Sequence, residues 1–173
     1  RLIESDLGKE WEEEGKTAFI LIVGKEVRGI LAVADTLKDE AVEVIKSLKK
    51  EGLDVWLITG DNERVEKAIA SQVGIENIMA GVLPQDKAEK VKGLQKTGKL
   101  VAMAGDGIND APALAQANLG IAMGEGTDIA MESAEITLIR GDLTLIPEVI
   151  SLSRKTLSII KQNLFWAFFY NIA

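Results

Sequence analysis

The chain has 173 residues, 27 acidic and 20 basic, for a formal charge of −7, and contains neither Cys nor His. Disulfide staples, zinc fingers, thiol nucleophiles and imidazole bases are therefore excluded, and an acidic chain without a basic stripe argues against a nucleic-acid partner. Any catalysis must run on carboxylates, Lys, Thr and backbone amides, in one domain with a real core or one domain plus a piece of another.

Residues 1 to about 15 carry a nearly unbroken charged run, Glu10 to Glu14, and read as a surface helix. The opening Arg1-Leu2-Ile3-Glu4-Ser5-Asp6 lacks the basic and apolar regions of a signal peptide. Ala18 to Val23 and Val27 to Val33 are strand-like and joined by Gly24-Lys25-Glu26, a hairpin signal. Near Ala34-Asp35 this hairpin gives way to alternating helices and strands, the expected domain boundary. Lys38 to Glu51 places Ala41, Val42, Val44, Ile45 and Leu48 on a helical stripe, with Gly52 at the C′ position. There follow a strand at Val55 to Ile58, a helix at Glu63 to Val73 and a short strand at Ile78 to Ala80. Next come a helix at Gln85 to Thr97, a strand at Leu100 to Ala104 and a helix at Ala111 to Ala117. Strands at Leu119 to Met123 and Ile136 to Ile139 flank a short helix at Asp128 to Ala134. This order predicts an α/β fold with a parallel sheet and helices on both faces. Leu143 to Asn163 then forms one long helix running into Leu164-Phe165-Trp166-Ala167-Phe168-Phe169-Tyr170-Asn171-Ile172-Ala173. That apolar run is about half of the roughly 20 residues a membrane span needs, and it is an unusual surface for a soluble protein. The chain reads as part of something longer.

Three segments carry chemistry. Gly105-Asp106-Gly107-Ile108-Asn109-Asp110-Ala111-Pro112 follows an apolar strand and supplies two carboxylates, a carboxamide and two glycines. A hard dication takes oxygen ligands and keeps waters, so one or two Asp with phosphate oxygens suffice to hold Mg²⁺. Parallel sheets bind ligands at the carboxyl ends of their strands. Asn109-Asp110 also suits a plain helix cap. Thr59-Gly60-Asp61 ends a strand and opens a helix, which suits either an anion site or a capping turn. Lys87 follows Pro84-Gln85-Asp86 in a first helical turn, where a cation opposes the helix dipole. It serves a ligand, or it is a solvated surface lysine.

Taken together, Thr59-Gly60-Asp61-Asn62, Leu83-Pro84-x-x-Lys87 and Gly105 to Pro112 resemble the haloacid-dehalogenase-like phosphotransferases, and more closely the phosphorylation domain of P-type ATPases. Ala113 to Ala117 and Gly124-x-Gly126-Thr127-Asp128 resemble that family too. The resemblance implies a Rossmann-like, mostly parallel sheet. It assigns residues 1–33 to the end of a nucleotide-binding domain and 34–150 to a phosphorylation domain lacking its nucleophile strand. Residues 151–173 become a stalk and the start of a truncated transmembrane helix. Lys161-Gln162-Asn163-Leu164 followed by Tyr170-Asn171 resembles the first membrane helix after the phosphorylation domain in copper(I) exporters. There the Tyr-Asn pair helps form the intramembrane metal site. Zinc and cadmium relatives typically carry a lysine in this region, absent here. The alternative for Tyr170 is an aromatic-belt residue.

By the same resemblance Asp106 and Asp110 hold Mg²⁺, with Asn109 ordering that site. Thr59, the Gly60 amide and Lys87 hold the phosphoryl group, Asp61 sits near the hinge to the nucleotide domain, and Tyr170 and Asn171 bind transported Cu⁺. ATP binds mostly upstream. The implied partners are the other domains of the same pump, the lipid bilayer and a copper chaperone. The parent is then a membrane protein with residues 1 to about 160 on the cytoplasmic side, where Arg154, Lys155 and Lys161 fit. The family's nucleophile, an Asp followed by Lys-Thr-Gly, does not occur in this sequence. Asp35-Thr36 follows a strand but lacks that continuation, and Leu37 stands where soluble phosphatases place a second acid. The chain alone is therefore not expected to hydrolyse ATP or move metal. The alternatives are a soluble Mg²⁺-dependent phosphatase using Asp35, or a regulatory module with a vestigial phosphate site.

Overall fold

The computed structural model describes residues 10–11, 14, 16–34, 37–106, 108–124, 131–138 and 140–172. Most of the expected N-terminal surface helix, Asp35-Thr36, Gly107, Gly126-Thr127-Asp128 and the first part of the helix expected from Asp128 lie outside the described residues.

The expected hairpin is present. Strands β1 (Thr17–Val23) and β2 (Glu26–Val33) pair antiparallel from Thr17↔Val33 to Val23↔Glu26, with a register shift between Leu21 and Ile22. Its apolar side chains Phe19, Leu21, Leu31 and Val33 stay exposed.

Helix α1 (Ala41–Lys50) buries Ala41, Val44 and Leu48, whose i, i+3, i+7 spacing draws one line along the helix. Val42, expected on that stripe, turns outward and is exposed. Strand β3 (Trp56–Ile58) pairs parallel with β4 (Asn77–Met79). Between them runs α2 (Glu63–Val73), capped by the Asn62 side chain, which accepts from the Arg64 amide at 2.9 Å. Ala41, Ala70, Val73 and Ile75 form the core here, with Val55, Leu57 and Ile78 of the sheet packed against them.

A 3₁₀ turn at Pro84–Asp86 leads into α3 (Lys87–Lys96), so the expected helix over 85–97 is regular only from Lys87. Strand β5 (Ala102–Gly105) begins two residues later than the apolar pattern suggested. The Asn118 side chain takes the Val101 amide at 2.9 Å, and the Asn118 amide bonds the Val101 carbonyl, closing a loop where a ladder would otherwise start. Leu100 is 88% exposed. Helix α4 (Ala111–Gln116) then connects β5 to β6 (Leu119–Met123), and β5, β6 and β7 (Ile136–Leu138) form a parallel sheet in that order. The parallel strands therefore lie in two ladders, β3-β4 and β5-β6-β7.

Helices cover both faces of the second ladder, as the alternation along β6 requires. Ile121 and Met123 pack with Leu145, Ile146 and Val149 of α5 (Leu145–Ile172), while Gly120 on the other face lies against the Leu114 carbonyl of α4. Arg154 of α5 pairs with Glu51 beyond α1 at 2.7 Å. Past Arg154 the described side chains of α5 are exposed, Phe165, Trp166, Phe168 and Phe169 among them. Among the described residues no helix is long and apolar enough to cross a membrane.

Candidate phosphoryl and magnesium site

The chain leaves β3 at Thr59, which is still tied to the neighbouring strand by its amide bonding the Met79 carbonyl at 3.0 Å. The turn that follows is closed by the Asp61 amide, which donates to Thr59 Oγ1 at 3.1 Å. The Thr59 hydroxyl in turn donates to Glu66 Oε1 at 3.0 Å. Since Asn62 caps α2, the Thr59-Gly60-Asp61 turn is not consumed in capping. A Cβ at Gly60 would meet only the Val82 carbonyl oxygen, at an ordinary 3.4 Å, so packing does not demand glycine there.

The second strand end is built around an ion pair. Lys87 Nζ lies 2.7 Å from Asp110 Oδ1, with the two side chains 14% and 13% exposed. This answers the unfavourable charge of a lysine in the first turn of α3 with a carboxylate from another element. Asp110 precedes α4 yet makes no side-chain capping bond, which removes the capping alternative for this residue. Gly105 is required by the same carboxylate, because a Cβ there would sit 2.7 Å from the Asp110 Cβ. Asp106 and Asn109 are exposed beside it.

The two strand ends are mechanically joined. The Val82 amide bonds the Thr59 carbonyl at 2.9 Å and the Gly81 amide bonds the Asp61 carbonyl at 3.1 Å. Residues 81–82 lead directly into the turn that carries Lys87, and Lys87 holds Asp110. Thr59 is thus bonded to Val82, the chain runs on from there to Lys87, and Lys87 holds Asp110 against Gly105. Asp106 leaves the same strand end as Gly105. The chemistry of this donor set fits Mg²⁺, which is satisfied by one or two carboxylates with phosphate oxygens and water. No group of three or more His, Cys, Asp or Glu forms a metal cage among the described residues.

Tyr170 and Asn171 are not part of this cluster. They lie near the end of α5, where Tyr170 is 85% exposed and the Asn171 side-chain Nδ2 donates back to the Ala167 carbonyl at 2.7 Å. Asp35 lies outside the described residues. One residue of the site escaped sequence reasoning, Glu66, which is 6% exposed. Its spacing of i, i+4, i+7 with Ala70 and Val73 puts an acid on the buried stripe of α2, and that mismatch was the available signal.

Residues 2–118 match the haloacid dehalogenase-like hydrolase family. Over 168 residues the chain is 52% identical to a copper-exporting P-type ATPase of Staphylococcus saprophyticus, covering 97% of this chain and 21% of that protein. The counterpart from Staphylococcus aureus strain JH9 is also 52% identical, over 171 residues, covering 99% and 21% respectively. Among solved structures, a zinc-transporting PIB-type ATPase in its E2·Pi state matches with a TM-score of 0.80 and 41% identity, over 91% of this chain and 26% of that one. The chain thus spans about a fifth of the length of the curated relatives it matches.

Proposed function

Because the chain belongs to the haloacid dehalogenase-like hydrolase family, we propose that residues 34–150 are the phosphorylation domain of a copper(I)-exporting P-type ATPase. The observation that carries this reading is the half-buried Lys87–Asp110 pair. It joins two of the three motifs across 23 residues of sequence, and the bonds at Val82 and Gly81 bring in the third.

In this reading Thr59, the Gly60 amide and Lys87 hold the phosphoryl group of an aspartyl-phosphate. Asp106, with Asp110, holds Mg²⁺, and Asn109 orders that site. Bound there, Mg²⁺ neutralises charge on phosphoryl oxygens. The chain's own share is positioning. Phosphoryl transfer needs little covalent help from a protein beyond alignment and charge stabilisation at the reacting group. Lys87 brings a cation whose direction is fixed by Asp110, and Gly60 allows close backbone approach where the fold itself would accept a side chain. Asp61 stands where the chain turns between β3 and α2 and serves the hinge to the nucleotide domain.

The nucleophile and most of the ATP pocket come from elsewhere in the same pump. Residues 1–33 close its nucleotide-binding domain, and residues 151–173 form the stalk and the beginning of a membrane helix. Polar groups in a membrane helix are costly and default to function, so Tyr170 and Asn171 are assigned to the transported Cu⁺. The parent then sits in the membrane with residues 1 to about 160 on the cytoplasmic side, and a copper chaperone is its cargo donor. The relatives are P-type ATPases, which speaks against the soluble phosphatase reading. Copper(I)-stimulated ATP hydrolysis by the complete protein that carries this segment tests the proposal. Asp106→Ala should reduce it roughly 100-fold or more. Stimulation by zinc(II) in place of copper(I) would reassign the metal, and full activity in the variant would defeat the role given to Asp106.

A further inference from the structure

Glu66 is a buried acid in the first turn of α2, and nothing in the chemistry above uses it. Its carboxylate accepts the hydroxyl hydrogen of Thr59 at 3.0 Å. A threonine hydroxyl has one hydrogen to give and two lone pairs to offer. Here one lone pair is taken by the Asp61 amide at 3.1 Å. The other acceptor in reach of the hydrogen is Asp61 Oδ2, at a marginal 3.5 Å. Both acceptors are carboxylates, and the shorter bond goes to the buried one, where a charge-assisted hydrogen bond is strongest.

A phosphoryl oxygen is itself an acceptor and needs that same hydrogen. Resting on the phosphoryl-site reading given above, we propose that Glu66 is a positioning residue that holds the Thr59 hydroxyl away from the phosphoryl group, so that orthophosphate is bound weakly and released readily. The carboxyl group acts by engaging the donor.

Magnesium-dependent binding of inorganic phosphate to the 173-residue chain tests this, read from the amide resonances of Gly60 and Asp61. The Thr59 side-chain torsion is read in parallel from three-bond couplings. Glu66→Met keeps the bulk and removes the acceptor. It should release Thr59 into a second rotamer and tighten phosphate binding about 5-fold, the size of one modest net hydrogen bond. In a Thr59→Val background the same change should bring no gain. A purely structural role for Glu66 predicts the opposite, weaker binding in the Met variant. Unchanged or weakened binding with the Thr59 torsion unaltered would overturn the inference. Should Glu66→Met fail to fold, Glu66→Gln, which keeps size and drops the charge, must still tighten binding, by a smaller factor. If no form of the chain binds phosphate, the phosphoryl-site reading falls. The Thr59 torsion then decides the Glu66 contact separately, and an unmoved rotamer in the Met variant sinks it.

Discussion

At the carboxyl ends of β3 and β5, Thr59, Lys87 and Asp110 are each held by another part of the chain, at 3.0, 2.7 and 2.7 Å, and the Lys87–Asp110 pair is nearly closed to solvent. Past Arg154, by contrast, α5 presents Leu157, Phe165, Trp166, Phe169 and Tyr170 to solvent, and Asn171 bonds only back onto its own helix in the geometry described. The aromatic rings there touch each other, with Phe165 to Trp166 centroids 5.4 Å apart and Trp166 to Phe169 5.9 Å apart. The first region has its geometry set by folding. In the second, folding sets only a helix, and what its side chains are for depends on surroundings this chain does not supply.

That contrast makes unequal demands on mutation. Lys87→Met should cost about 1–2 kcal/mol in chemical denaturation of the chain, because it leaves a half-buried carboxylate without its partner. The double change Lys87→Met with Asp110→Leu should recover most of that stability while phosphate binding stays lost. Recovery of binding as well would mean that the pair serves packing alone. Gly60→Ala should leave folding within about 0.5 kcal/mol yet weaken phosphate binding roughly tenfold, ~1.4 kcal/mol. The fold has room for the methyl group, and the proposed ligand does not.

The contrast also marks what could be read in advance. Every strand and helix named above was visible as a periodicity or an apolar run: α2 and β6 keep the expected edges, most others shift by one to three residues, and α5 continues to Ile172, past the expected Asn163. Strand β5 is instructive, since Leu100 and Val101 look like strand and are not. The Asn118 side chain intercepts the Val101 amide, a contact across 17 residues that no local window contains. The candidate residues Thr59, Lys87, Asp106 and Asp110 stand out in the sequence because each sits at a strand end or helix start with a residue type that the position does not otherwise want. Their assembly was not legible. That Asp110 would be drawn to Lys87 rather than to its own helix depends on the close approach of Gly105, which only the folded chain displays.

Smaller effects sharpen the picture away from the site. The Gly120 amide donates to the Glu135 carboxylate at 2.5 Å, which holds that carboxyl below the usual glutamate range; a bond from its own backbone adds to this. A depressed carboxylate stabilises the fold above its ordinary pKa of about 4.3, and that contribution is lost as the pH falls through the lowered value. Glu135→Gln should therefore flatten the stability profile below about pH 4, and a profile unchanged in urea titrations would show the bond to be immaterial. Least of all should happen at the far end of α5. Phe165→Ser and Tyr170→Ala should each change the stability of this chain by less than about 0.5 kcal/mol, while under the proposed function they should disturb membrane assembly and copper transport respectively. A large loss of stability in the isolated chain would show that these side chains pack against the domain after all.

The most direct test of the central claim is acid-stable phosphoenzyme formed from labelled ATP and Mg²⁺, measured on this chain and on the complete protein that contains it, with copper(I) or zinc(II) added. The account predicts copper-dependent label on the complete protein and none on the 173-residue chain, because the nucleophile lies outside it. Label on the chain itself, removed by Asp35→Asn, would contradict the account and make this a phosphotransferase in its own right.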